Sequence, residues 1–277
     1  MIANKSFIYI GANDRNALLD VTYPAANANG NLYFIVHGFK SFKDWGFYPY
    51  IANTLAEKGN TVVKINFSHN GVGIDEDTRE KFIDLDAFGN NNFSKELIDI
   101  QNAINFLQKS TDDVFKKCDT QNITLIGHSR GGGMAIIAAE KLNCFTKIIT
   151  LNAVSSFENL LAGIHIEAWK VSGVHYIANA RTNQQMPLYF QLHEDYFMHQ
   201  SAYDISVKAS NLQMPFLIIH AANDETVNIA HARNIKSSAP DAKLQIIENT
   251  GHTFEATHPF SSASEAMLLV MQLILEF

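Results

Sequence analysis

The chain has 277 residues, 47% of them hydrophobic and 18% charged. The first figure is that of a globular protein, and the second is too low for a disordered chain or a coiled coil. Lys and Arg number 21 against 28 Asp and Glu, a net charge of −7, which argues against nucleic acid or an anionic membrane as partner, since both demand a basic face.

The length suits one or two domains at roughly 150 residues each, and a single domain over residues 1–277 is the expectation. Two cysteines, Cys118 and Cys144, cannot build a disulfide framework and read as inert buried thiols. No leader-like apolar run opens the chain and no stretch is apolar enough to span a membrane, so a cytoplasmic protein is expected. Four Asn-x-Ser/Thr sequons, at Asn4, Asn66, Asn92 and Asn122, are read as chance, with Asn66 and Asn122 assigned to buried strands.

Phe7–Ile10 and Leu18–Tyr23 are short apolar runs joined by a polar stretch, and they predict an antiparallel hairpin at a sheet edge. Leu32–His37 is continuously apolar rather than alternating, which means that both faces are covered. Phe47, Ile51 and Leu55 recur four apart and predict a helix that Gly59 stops. Val62–Phe67 is the next strand. Phe93, Leu97, Ile100, Ile104 and Leu107 predict a helix capped by Ser94. Ile123–Gly127 and Ile148–Ala153 are strands with an apolar helical segment between them. Phe216–His220 and Leu244–Ile247 complete the strands. Ser262-x-x-Glu265 reads as a capping box at the start of a C-terminal helix. Strand and helix alternate, so the fold class is α/β, a mainly parallel central sheet with helices on both faces.

One stretch breaks the rhythm. About sixty residues separate Ala153 from Phe216, where strand–helix links usually take roughly 2–6. Residues 155–212 are rich in aromatics and histidines, and predict a cap inserted over one end of the sheet. Tyr176, Tyr189, Phe190 and Tyr196 are its candidates for binding substrate. A helix pair packed on the sheet edge is the alternative.

The sharpest chemical signal is Gly127-His-Ser129-Arg130-Gly131, placed after a strand and before an apolar helix. A serine on so tight a turn has a strained backbone and needs small neighbours two residues away. The turn lifts the Ser129 hydroxyl clear of the sheet. It also puts the Arg130 amide at a helix N-terminus, where unpaired N–H groups favour an anion. A phosphate loop of the Walker type is absent.

Such a serine needs a base. Of eleven histidines, His252 lies on a loop after the last strand. His128 reads as packing, His37 and His220 as structural, and His193 and His199 as parts of the cap. The base in turn needs an orienting carboxylate. Asp224 follows the Phe216–His220 strand, with Glu225 beside it and Glu158 a weaker substitute. A second oxyanion donor is expected from the loop after Leu32–His37, at the Phe39 amide, with Gly38 permitting the bend. The residues offer no metal site: His193-Glu194-Asp195 with His199 has the wrong spacing.

The sequence resembles the α/β-hydrolase superfamily in the order Ser129, Asp224, His252. Further matches are His37-Gly-Phe39, Asn66-Phe-Ser-His-Asn-Gly71, Gly127-His-Ser-Arg-Gly-Gly132, Pro215-Phe-Leu-Ile-Ile-His220, Asp224-Glu-Thr-Val227 and Gly251-His252. Within the superfamily it looks most like cap-bearing serine esterases similar to cinnamoyl and feruloyl esterases. It is more distantly similar to the dienelactone-hydrolase and prolyl-oligopeptidase branches. Many relatives have Gly at the position of Ala221, and dienelactone hydrolases use Cys where this chain has Ser129.

The resemblance and the residues together imply a cofactor-free serine esterase acting on small-molecule esters with short or aryl acyl groups. An acyl-peptide peptidase or thioesterase on the same residues is the alternative. A silent hydrolase-fold binding protein is disfavoured by the complete set of three.

Overall fold

The computed structural model describes residues 1–26 and 28–277. β1 (Ile2–Ile10) and β2 (Asn16–Pro24) form the expected antiparallel hairpin. β3 (Leu32–Val36), α1 (Tyr48–Glu57) and β4 (Thr61–Ile65) follow. Gly59 takes φ +94° just past α1, a left-handed value that favours glycine, and its N–H bonds back to Ala56 O. Next come α2 (Leu85–Gly89), α3 (Phe93–Lys109), α4 (Asp113–Lys116), β5 (Ile123–His128), α5 (Arg130–Lys141) and β6 (Phe145–Leu151).

The long stretch after β6 holds α6 (Glu158–Leu161), α7 (Ile166–Ser172), a hairpin of β7 (Val174–Asn179) and β8 (Gln184–Tyr189), α8 (Gln191–Met198) and α9 (Ile205–Asn211). The chain then returns through β9 (Phe216–Ala221), α10 (Ala230–Ser238), β10 (Lys243–Ile247) and α11 (Glu265–Glu276).

Eight strands form one sheet in the order β1-β2-β4-β3-β5-β6-β9-β10. β2 runs antiparallel to both neighbours, and every pairing from β4 to β10 is parallel. α1 and α11 pack together on one face, and α3, α5, α9 and α10 on the other. The central strands are therefore covered twice: β4 and β9 are buried along their whole length. That is the physical origin of their continuous apolarity. Among the described residues no helix is long and apolar enough to cross a membrane.

Local expectations fail in four places. Asn92, not Ser94, caps α3, accepting from Lys95 N at 2.9 Å. Ser94 is engaged elsewhere, its amide donating to Asp195 Oδ2 at 3.1 Å. Ser264, not Ser262, caps α11, accepting from Met267 N at 3.0 Å. The cap sits immediately before Glu265, so the reciprocal spacing of a capping box does not arise. Asn122 is exposed just ahead of β5, whereas Asn66 is buried. Cys118 is only half-buried; Cys144 is buried, and burial pushes its thiol up to about 11.

Candidate active site

The turn between β5 and α5 is built by steric exclusion. Ser129 holds φ +56° and ψ −124°, a left-handed value that costs a non-glycine residue on the order of 1–3 kcal/mol. The turn closes only because its flanks lack side chains. A Cβ on Gly127 would lie 2.4 Å from Gly131 O, and one on Gly131 would lie 2.2 Å from His37 O. The second contact brings the end of β3 against the turn. Gly38 then passes so close that its own Cβ would sit 3.0 Å from Ser129 Cβ. This places Phe39 and the first turn of α5 on either side of the serine.

His252 comes in from the loop after β10, and its Nε2 lies 3.0 Å from Ser129 Oγ. Its Nδ1 lies 2.7 Å from Asp224 Oδ2. The carboxylate that meets the imidazole is thus Asp224. Glu225 is exposed and Glu158 opens α6. Asp224 Oδ1 accepts the amides of Thr226 and Val227, both at 2.8 Å. Burial pushes the Asp224 carboxyl up, but the His252 bond and charge and the two amides outweigh burial and hold it below the usual carboxylate value.

Two buried links support the turn, and neither was visible in the sequence. The first starts at the loop after β3. Gly38 N donates to Tyr48 Oη at 3.2 Å, and Tyr48 Oη lies 3.0 Å from His128 Nδ1. His128 Nε2 lies 3.0 Å from His252 O. A carbonyl only accepts, so Nε2 carries the proton, Nδ1 accepts, and Tyr48 donates to it. Burial, with help from the charge of His252, pulls His128 down to about 3, so it stays neutral in this role. Asn152 Nδ2 donates to the same His252 carbonyl at 2.8 Å. His128 therefore packs as expected and also ties the two loops that flank Ser129.

The second link lies under Phe39. The Arg130 side chain is buried in an ion pair with Glu96, which also accepts from Asn91 Nδ2 at 2.8 Å. The guanidinium lies 4.3 Å from the Phe39 ring centre, and Phe39 stacks on Phe88 at 5.5 Å. Arg130 is read from sequence for its amide alone; its side chain also props the loop that carries Phe39. His37 is structural, as read: Nδ1 donates to Gly38 O at 2.8 Å and Nε2 accepts Phe67 N at 3.3 Å.

A cavity of about 660 Å³ opens over Ser129. Its walls include Phe39, Trp45, Val154, Leu160, Val227, His231 and Ala256, with Lys40 and Arg181 also lining it. Residues 155–212 contribute Leu160 and Arg181. The four aromatics nominated from sequence are not in the lining. Tyr176 is exposed. Tyr189 reaches α2, where its hydroxyl donates to Asp86 Oδ1 at 2.9 Å. Phe190 packs edge-on against Trp169 at 5.6 Å, and Tyr196 against Phe93 at 6.0 Å. The reason is volume. Sixty-odd residues outside the main sheet must themselves be packed, so Phe190 fills the interior of the segment while Tyr189 and Tyr196 dock it on α2 and α3. Among the described residues no group of three or more His, Cys, Asp or Glu could hold a metal ion.

The sheet order, the alternation of strand and helix and the sharp turn after β5 define an α/β-hydrolase fold, and solved structures agree. Est1E from Butyrivibrio proteoclasticus aligns with 97% of this chain and 96% of its own, at TM-score 0.68 and 17% identity; it has also been solved with ferulic acid bound. The esterase domain of a Rhodothermus marinus protein aligns over 98% of this chain and 96% of its own, at TM-score 0.64 and 15% identity. Acylaminoacyl peptidase from Pyrococcus horikoshii matches all of this chain with 41% of its own, at TM-score 0.69 and 18% identity. No curated protein matches the sequence. A family model described as BD-FAE matches residues 82–238, more than half of the chain, and the chain belongs to the BD-FAE family.

Proposed function

We propose that the protein is a serine hydrolase of carboxylic esters with short or aryl acyl groups. The observation that carries this reading is the unbroken series from Ser129 Oγ to His252 Nε2 at 3.0 Å and from His252 Nδ1 to Asp224 Oδ2 at 2.7 Å.

Ser129 Oγ adds to the acyl carbon while its proton passes to His252 Nε2. Asp224 keeps the other ring proton on Nδ1 and stabilises the imidazolium that forms. The Phe39 and Arg130 amides hold the oxyanion, each such donor accounting for about 10²–10³ in turnover. Collapse of the adduct breaks the ester C–O bond, and His252 returns the proton to the leaving alcohol. Water then repeats the cycle on the acyl-enzyme and releases the acid. No cofactor takes part. Residues 155–212 act as a cap in this reading and supply Leu160 and Arg181 to the cavity wall.

A cavity of about 660 Å³ suits a compact acyl group. Lys40, Arg181 and several histidines share its wall with the apolar side chains, so fewer of a long chain's CH₂ groups would gain the roughly 0.8 kcal/mol that apolar burial gives each. The test is labelling with a fluorophosphonate followed by a series of 4-nitrophenyl esters and hydroxycinnamate methyl esters. Wild type is expected to label and to favour acyl chains below about eight carbons or aryl groups. Ser129→Ala is expected to lose labelling and to drop turnover on the order of 10⁵–10⁶. A variant that keeps a tenth of the wild-type rate overturns the mechanism.

A further inference from the structure

We propose that the substrate carries a carboxylate, and that Lys40 and Arg181 bind it within the cavity over Ser129; this rests on the hydrolase reading above. The permanent charges in the cavity wall are of one sign. Lys40 and Arg181 stand there, and among the described residues no Asp or Glu does. The chain as a whole has net charge −7, so a wall free of carboxylates runs against its composition.

Among the described residues neither cation has an ion-pair partner. Each is instead fixed by a main-chain carbonyl. Lys40 Nζ donates to Ala178 O at 3.0 Å, and an Arg181 nitrogen donates to Lys40 O. A carbonyl sets the position of a cation without cancelling its charge, whereas a carboxylate would do both. Trp45 adds a platform, with the Arg181 guanidinium 4.9 Å from its ring centre.

The backbone is bent to the same end. Lys40 holds φ +50°, a left-handed value unusual for a side chain of its size, directly after the Gly38-Phe39 loop. The two cations also crowd each other. Burial lowers the Lys40 ammonium from its ordinary value, and the charge of Arg181 lowers it further. An anion seated between them relieves that repulsion, and the remaining N–H donors of both side chains are there to receive it.

Two matched pairs of esters test this, since the anion can sit on the acyl or on the alcohol side of the scissile bond. The first pair is 4-nitrophenyl hydrogen glutarate and its methyl ester. The second is 4-acetoxybenzoate and its methyl ester. At low salt at least one pair is expected to favour the anion in kcat/KM by about tenfold to a hundredfold. Added sodium chloride is expected to erode that preference. The anion-to-neutral ratio is expected to fall toward one in Arg181→Gln and in Lys40→Gln, and to survive in part in Arg181→Lys, which keeps the charge. A ratio at or below one in both pairs overturns the inference and leaves the hydrolase reading standing. So does a preference that both glutamine variants leave unmoved. Failure to hydrolyse any of the four, with Ser129 inert to fluorophosphonate, overturns both.

Discussion

Asp224 is the residue on which the electrostatics of the proposed mechanism turn. Its carboxylate is buried, bonded to His252 and fixed by two amides. Asp224→Asn keeps the shape but hands His252 Nδ1 the wrong partner, and turnover is expected to fall by about 10⁴ in a 4-nitrophenyl ester assay. A near-normal rate there, with a large loss in Glu225→Gln or Glu158→Gln, would reassign the acid. Tyr48→Phe tests the buried link. It leaves Gly38 N and His128 Nδ1 without a partner, at an expected cost of about 1–3 kcal/mol in urea unfolding. It is also expected to lower kcat more than it raises KM, because the loops it ties carry the proposed oxyanion donor and the proposed base. Ser129, Asp224 and His252 were legible in the sequence because each lies within five residues of the end of an apolar run, which is a short-range signal. Tyr48 was not. Helical periodicity says that it faces inward, and nothing in a linear pattern says that its hydroxyl meets a histidine eighty residues away.

At the level of elements, the eight strands were legible and their caps less so. An apolar run is set by burial, which the sequence records residue by residue. A cap is set by which of several polar residues the turn leaves closest to the open amides. Ser94 and Ser264 were therefore decided by Asp195 and by the immediate approach to α11 rather than by spacing. The segment from α6 to α9 shows the same division. Its existence follows from its length, but Phe190 packs inside it, Tyr189 and Tyr196 dock it on α2 and α3, Tyr176 stays exposed, and the cavity wall drew Leu160 and Arg181 instead. Tyr189→Phe and Tyr196→Phe are thus expected to leave the acyl-length profile unchanged. Leu160→Ala and Trp45→Leu are expected to shift it, read as kcat/KM across 4-nitrophenyl acetate to octanoate. The reverse pattern would move the acyl site onto the aromatic segment. Arg130→Met is a harsher change. It strands buried Glu96 and removes the support of Phe39, with an expected loss of about 3–5 kcal/mol.

Taken as a whole molecule, the protein carries a hidden acid sensitivity. Burial pulls His37 down to about 4, His128 to about 3 and His69 to about 4. All three stay neutral in the fold, whereas the unfolded chain protonates them near 6.5. Their contribution is intact above that value and is lost as pH falls toward 4, on the order of 1–3 kcal/mol per fully buried ring. Asp99 works the other way: burial pushes it up to about 7, so the fold holds a proton that the unfolded chain has already lost. Glu96, which burial also raises, sides with Asp99, while His220 and His231, which burial also lowers, side with the three; the lowered histidines outnumber the raised carboxyls, and the urea midpoint is expected to fall between pH 6.5 and 4.5. His37→Asn is expected to flatten that fall. A midpoint constant over the range, or a slope the variant does not change, would refute the assignment. None of this was readable from composition, since a histidine count is silent on which rings are dry.

The site also imposes an order on the life of the chain. Ser129 and His252 are 123 residues apart, yet their atoms must meet at 3.0 Å. During synthesis the serine therefore leaves the ribosome long before its base exists. Until the loop after β10 has emerged and docked, Ser129 is an ordinary alcohol on a bent turn. On the proposed mechanism the nascent protein is thus chemically silent until β10 and the loop after it are in place, and it would act on no ester that it meets before then.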